Sequence, residues 1–137
     1  MRGAGTVQAI VKARGVGCLS EPPGDGHAVV TTCSVTVIDV LAPLQTGMNE
    51  SYTLVISSIG RCVITAQTPW GAMHAMETLS QVSGENCTVA NAPLLIEDTP
   101  RFGFRGLMID TARHYLPVSL IRHIIDGMAI NKLNILQ

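Results

Sequence analysis

At 137 residues the chain is long enough for one ordinary domain, which at that size buries roughly two thirds of its unfolded surface. Charged residues make up 14% of it, against about a quarter in an average soluble domain, so the sequence is written for burial or for cover by further sequence. Nine Lys and Arg against ten Asp and Glu give a formal net charge of -1, with no basic run and only two Phe, two Tyr and one Trp. That balance gives nucleic acid binding no support, since a phosphate backbone calls for a positive field and single strands call for stacking platforms.

Residues 1–28 are glycine-rich, interrupted by charges, and end on the breaker cluster Glu21-Pro22-Pro23-Gly24-Asp25-Gly26. They are expected to be poorly ordered or extraneous. The first residues carry a basic side chain but no uninterrupted apolar core of about 7–15 residues, so they do not read as a secretory signal. No apolar run reaches the roughly 18 residues needed to span a membrane.

From Ala28 to Val40 the β-branched density is high, and Val35 and Val37 alternate with Ser34, Thr36 and Ile38, the period of a strand. After a loop around Pro43 to Asn49, Tyr52–Ile56 predicts a second strand and Cys62–Ala66 a third. The short link between those two predicts antiparallel neighbours. At Trp70 the period changes: Trp70, Met73, Met76 or Glu77, and Leu79 or Ser80 fall three or four apart, predicting a helix to Val82 with that stripe on the sheet. Pro69 sets its start and Ser83-Gly84 its end.

Val89 to Glu97 follows, broken by Pro93, and a domain boundary is expected between Glu97 and Phe104, around Asp98-Thr99-Pro100-Arg101. The expected division is an α/β domain over residues 29–98 and a second region over 99–137. In the latter, Gly106–Asp110 reads as a parallel strand covered on both faces. Pro117 opens a helix whose stripe is Leu120, Ile121, Ile124, Ile125 and Met128, and Asn131 closes it before a strand from Leu133 to Leu136. This is one βαβ unit, which leaves both sheet edges uncovered, and the chain stops at Gln137 inside the last strand, the expectation being truncation.

Cys18, Cys33, Cys62 and Cys87 are too far apart for a zinc knuckle or a thioredoxin-like pair. They read first as small buried hydrophobes, with one or two disulfides as the alternative. His27, His74, His114 and His123 lack ligand spacing, and no metal or other cofactor is expected. Asn49-Glu50-Ser51 and Asn86-Cys87-Thr88 are candidate glycosylation sites, relevant if the chain enters a secretory compartment. Glu77 sits in the first helix without a second carboxylate nearby, so it is not read as a catalytic acid.

Four blocks resemble, in order, those of the β-N-acetylhexosaminidases of glycoside hydrolase family 20: Trp70 to Gln81, Ile96 to Phe102, Arg105 to Pro117 and Ala129 to Leu136. Asn49 to Leu54 also looks like the family's accessory-domain strand. The resemblance covers about Val30 to Leu136 and leaves residues 1–28 unexplained. It implies an α/β accessory domain, an antiparallel sheet with a helix, followed by the truncated first βαβ unit of a (β/α)8 barrel. It also implies hydrolysis of terminal N-acetylglucosamine or N-acetylgalactosamine by a substrate-assisted retaining mechanism.

By the resemblance, Arg113 grips hydroxyls of the terminal sugar, a role that suits a guanidinium because its fork of donors never deprotonates. Asp110 supports it by ordering Arg113 or the loop amides, or touches ligand; His114 and Tyr115 are expected to serve packing and hydrogen bonding. Arg105, at the opposite end of the strand, is expected in a salt bridge, and Trp70 in a core or interdomain role. The family's catalytic Asp-Glu pair falls outside these residues, so the chain alone is expected to be inactive. Its compartment by family is lysosomal or secreted, and a homodimer is the family's habit. A non-catalytic binding or interaction module is the alternative.

Overall fold

Strand-forming alternation over Thr32–Val37, Tyr52–Ile56 and Cys62–Ala66 builds the centre of a five-stranded sheet in the structure, a computed structural model that describes residues 7–12, 18 and 21–137. In chain order the elements are β1 (Val7–Lys12), β2 (His27–Val29), β3 (Thr32–Val37), β4 (Tyr52–Ile56), β5 (Cys62–Ala66), α1 (Pro69–Val82), β6 (Thr88–Ala90) and β7 (Leu94–Asp98). Then come β8 (Gly106–Leu107), α2 (Val118–Ile130) and β9 (Ile135–Leu136). The chain divides into two compact units, one of Met1–Leu44 with Met48–Pro100, the other of Gln45–Gly47 with Arg101–Gln137.

In the first unit the strand order is β1-β3-β5-β4-β7. The predicted hairpin is there: β4 and β5 are antiparallel, with Leu54 opposite Ile64. The sheet is mixed rather than wholly antiparallel, because β3 and β5 run parallel, Val35 beside Ile64. The expected strand over Ala28 to Val40 is two. Its start pairs as β2 with β6, and its remainder is β3. Part of the segment expected to lack order is also a strand: β1 pairs antiparallel along the whole of β3, from Val7–Val37 to Lys12–Thr32.

Alternate side chains point to opposite faces of a sheet, and one face here is closed: Cys33, Val35, Leu54, Ile56, Cys62, Ile64 and Ala66 are buried on it. On the other face Val55 and Leu95 are exposed. Helix α1 covers the closed face, but not with the predicted stripe. Its buried residues are Gly71, Ala72, Ala75 and Thr78, with Leu79 and Val82 packed beside them, whereas Met73 and Met76 are exposed. Small side chains let the helix backbone approach the strands: a Cβ on Gly71 would lie 2.6 Å from the Ser51 carbonyl oxygen.

Thr68 caps α1, accepting a hydrogen bond from the Gly71 amide at 3.3 Å and donating to the Asn49 carbonyl at 2.5 Å; Pro69 occupies the first turn, where its missing N–H costs nothing. All four cysteines are bonded, Cys18 to Cys87 and Cys33 to Cys62, the second bridging register partners of β3 and β5 on the buried face. The expectation of free, buried thiols is thus replaced by the disulfide alternative.

The second unit is a βαβ arrangement: β8 and β9 are parallel, Gly106 beside Ile135 and Leu107 beside Leu136, with α2 between them in sequence. It opens a barrel without closing one. Met128 is buried, Ile121 and Ile124 are half-buried, and Leu107, Met108, Leu120, Ile125 and Leu136 are exposed. Among the described residues no helix is long and apolar enough to cross a membrane.

Candidate functional site

The second unit fixes its strands with main-chain and polar contacts. Ile109 donates to the Gln137 carbonyl at 2.7 Å and Gln137 to that of Leu107 at 2.9 Å, so the ladder runs to the last residue before Asp110. At the opposite end Arg105 Nε donates to the Lys132 carbonyl at 2.9 Å and Nη1 to that of Phe102 at 2.7 Å. The Arg105 amide donates to Asn134 Oδ1 at 3.0 Å, and Asn134 Nδ2 to the Gly103 carbonyl at 2.9 Å. Arg105 thus ties down two main-chain carbonyls.

Beyond the C-terminal end of β8 the chain turns on Asp110. Its Oδ1 accepts from the Ala112 amide at 3.0 Å and the Arg113 amide at 3.1 Å, and its Oδ2 pairs with Arg113 Nε at 3.1 Å. The carboxylate thus closes the turn and orients the guanidinium whose amide it already holds. Arg113 Nη1 and Nη2 carry no hydrogen bond among the described residues, and its side chain is 85% exposed. A fork of donors at that position can serve two neighbouring hydroxyls or a carboxylate. His114 is exposed, its amide donating to the Asp110 carbonyl at 3.3 Å, and Tyr115 is exposed as well.

The first unit holds two further polar assemblies that sequence spacing does not reveal, because their members are more than twenty residues apart. Glu50, buried, pairs with His74 Nε2 at 3.1 Å. Tyr52 donates to Asp98 Oδ2 at 2.7 Å and shares a 2.5 Å hydrogen bond with Thr78. Beside the latter lies an open cavity of about 290 Å³, lined by Ser51, Thr53, Thr65, Gln67, Glu97 and Thr99 among others. Trp70 is half-buried with its Nε1 enclosed and unpartnered among the described residues. Glu77 accepts from Gln81 one turn on, at 3.0 Å. Asn49 and Asn86 are both exposed. Among the described residues no group of three or more His, Cys, Asp or Glu is placed to hold a metal ion.

A mixed sheet with a covering helix, followed by a parallel βαβ unit, is the architecture of an α/β accessory domain leading into the first part of a (β/α)8 barrel. Residues 5–82 match the family model described as "beta-acetyl hexosaminidase like", and residues 102–137 match "Glycosyl hydrolase family 20, catalytic domain". The chain is 41% identical over 119 residues to beta-hexosaminidase 1 of Arabidopsis thaliana, covering 79% of this chain and 22% of that protein. It is 42% identical over 107 residues to the beta-hexosaminidase of Emericella nidulans, covering 75% and 18%. Among solved structures, the chitobiase of Flavobacterium johnsoniae superposes with a TM-score of 0.64 at 30% identity, over 74% of this chain and 15% of that one. The N-acetyl-beta-hexosaminidase of Streptomyces plicatus does so with 0.57 at 29% identity, over 74% and 21%. The chain belongs to the β-N-acetylhexosaminidases of glycoside hydrolase family 20, and it spans about a fifth of the length of the curated relatives it matches.

Proposed function

We propose that this chain supplies the sugar-gripping arginine of an enzyme that hydrolyses terminal non-reducing N-acetyl-D-hexosamine residues from N-acetyl-β-D-hexosaminides. The reaction is retaining and substrate-assisted: the 2-acetamido oxygen attacks the anomeric carbon while a glutamic acid protonates the leaving oxygen and a neighbouring aspartate steadies the acetamido group. The resemblance puts neither carboxylate within residues 1–137. These residues by themselves therefore do not turn over substrate, since loss of a general acid alone costs about 10²–10⁴ in rate.

The observation that carries the reading is the Asp110–Arg113 turn. Asp110 uses both carboxylate oxygens on the turn and on Arg113 Nε, which leaves the outer guanidinium nitrogens to donate to sugar hydroxyls. Asp110 and His114 are supporting residues, the first through its carboxylate and the second through its amide. The two disulfides support an oxidising compartment, lysosomal or extracellular, because such bonds persist where thiols are not kept reduced.

The test is a chimera in which this chain replaces the matching segment of the Arabidopsis relative. A folded chimera is expected to release nitrophenol from nitrophenyl N-acetyl-β-D-glucosaminide, and Arg113→Ala to cut kcat/KM by about 10²-fold or more, as loss of a charge-assisted contact does. Undiminished activity in the Arg113→Ala chimera would refute the role given to that side chain.

A further inference from the structure

We infer that Asn49 is an N-glycosylation acceptor and that Asn86, in the second Asn-x-Ser/Thr triplet, is not. The inference rests on the compartment part of the reading above, since only a chain that enters the secretory route meets the transferase. The two triplets are equivalent as sequence motifs. Their geometries are opposite.

At Asn49 the triplet is wound into a local turn in which the acceptor amide and the hydroxyl two residues on already meet. Ser51 Oγ donates to Asn49 Oδ1 at 2.6 Å and the Ser51 amide donates to the same oxygen at 2.9 Å. Two donors on the carbonyl oxygen draw electron density out of the carboxamide and make its N–H groups more acidic. Asn49 Nδ2 is left without a partner among the described residues, on an exposed side chain. Both contacts span two residues, so a nascent chain can form them before any distant strand arrives. Once the unit folds, the Asn49 carbonyl is held by Thr68 Oγ1 and Glu50 is buried against His74, so the acceptor side chain is exposed on a fixed backbone.

At Asn86 the triplet bends the other way. Asn86 and Cys87 have φ of 59° and 64°, the left-handed region. Thr88 Oγ1 donates to the Glu85 carbonyl at 2.7 Å, and the Thr88 carbonyl accepts from the Gly84 amide at 2.7 Å, so the hydroxyl is committed away from the amide it would have to polarise. Cys87, the middle residue, is bridged to Cys18, which is synthesised 69 residues earlier and is ready when Cys87 emerges. Unwinding this triplet to present its amide means opening both the turn and the cross-link.

The transfer balances with a lipid-linked pyrophosphoryl oligosaccharide as donor. Asn49 Nδ2 attacks the anomeric carbon, the new C–N bond forms as the C–O bond to pyrophosphate breaks, the lipid pyrophosphate leaves with that electron pair, and one Nδ2 proton passes to a base of the transferase.

The experiment translates the full chain behind a cleavable leader in the presence of microsomes and analyses the protease-protected product. Glycans are removed by an amidase that leaves aspartate at each modified position, read by peptide mass spectrometry. The expected result is one glycan, at position 49, lost in Asn49→Gln and in Ser51→Ala, kept in Ser51→Thr and unaffected by Thr88→Ala. A protected but unmodified wild-type product, a glycan that survives Ser51→Ala, or aspartate at position 86 would overturn the inference. Because the leader delivers the chain and the readout is mass, none of these outcomes depends on the hydrolase reading or on the natural compartment.

Discussion

Replacing Gly71 by alanine should destabilise the first unit even though alanine is the better helix former by up to about 1 kcal/mol. The added Cβ would sit 2.6 Å from the Ser51 carbonyl oxygen and 3.1 Å from the Glu50 carbonyl carbon and oxygen. A carbon and a carbonyl oxygen in favourable contact lie about 3.3–3.6 Å apart, so the methyl is about 0.7–1 Å too close. All the atoms it meets are backbone, in a stretch pinned by Thr68 Oγ1 on the Asn49 carbonyl and by the buried Glu50–His74 pair, and none can swing aside as a flexible side chain would. Overpacking costs about 1–3 kcal/mol, and rigid neighbours put this case in the upper half; less the propensity gain, about 1–2 kcal/mol remains. Trp70, the sole tryptophan, is the adjacent residue, so urea unfolding followed by its fluorescence reads this unit directly. With a slope of about 1–3 kcal/mol per molar urea, the midpoint should fall by about 1 M. Gly127→Ala is the control of opposite sign: nothing lies within 4 Å of the added Cβ, and α2 should gain about 0.5–1 kcal/mol, seen as slower amide exchange along it. A midpoint for Gly71→Ala equal to or above that of the parent chain would refute the close-approach argument.

Thr68→Ala removes both the cap on the Gly71 amide and the donor to Asn49, and should lower stability by about 1–2 kcal/mol in the same urea measurement, with Thr68→Ser recovering most of it. His74→Ala withdraws a hydrogen-bond donor from the buried Glu50 carboxylate and should cost about 1–3 kcal/mol. A cycle with Glu50→Gln should show coupling of at least about 0.5 kcal/mol, and strict additivity would count against the pair. Of the two disulfides, Cys33–Cys62 is enclosed, each residue 2% exposed, whereas Cys18 and Cys87 are half-buried. Under native conditions with graded dithiol and then iodoacetamide, Cys18 and Cys87 should be alkylated first, and the reverse order would contradict the packing described.

Strands β4 and β5 were legible to the residue because each is bounded by turn formers and alternates against a single buried face, the condition under which a period of two carries information. Helix α1 was legible in extent but not in orientation. Periodicity ranks positions by hydrophobicity and so selected Met73 and Met76, whereas the sheet took the stripe of Gly71, Ala72 and Ala75, for which the gain is close approach. β1 was missed because Val7–Lys12 is short and flanked by glycine-rich sequence; what makes it a strand is the full register it finds on β3, from Val7–Val37 to Lys12–Thr32, a partner distant in sequence. The cysteine pairing is likewise a consequence of register, since β3 and β5 bring Cys33 and Cys62 side by side. Of the site, the block Arg105 to Pro117 could be read from the resemblance alone. That Asp110 divides its two oxygens between the turn amides and Arg113 Nε could not, because spacing does not say which atom accepts from which.

The second unit shows why the polar residues of its blocks are the informative ones. A parallel strand pair is ordinarily covered on both faces, yet here Leu107, Met108 and Leu136 are exposed and Met128 is the buried hydrophobe of the unit among the described residues. Among the described residues, apolar burial contributes little to the position of β8 against β9. Directional contacts set it instead: Arg105 on the carbonyls of Phe102 and Lys132 and Asn134 on Gly103 and the Arg105 amide hold one end, and the ladder to Gln137 carries that register to the other. Asp110 begins where the ladder stops, so the place of Arg113 is determined by bonds made at the far end of the strand as well as by its own turn. A substitution at Arg105 is therefore expected to move Arg113 through register, and one at Asp110 to release it directly.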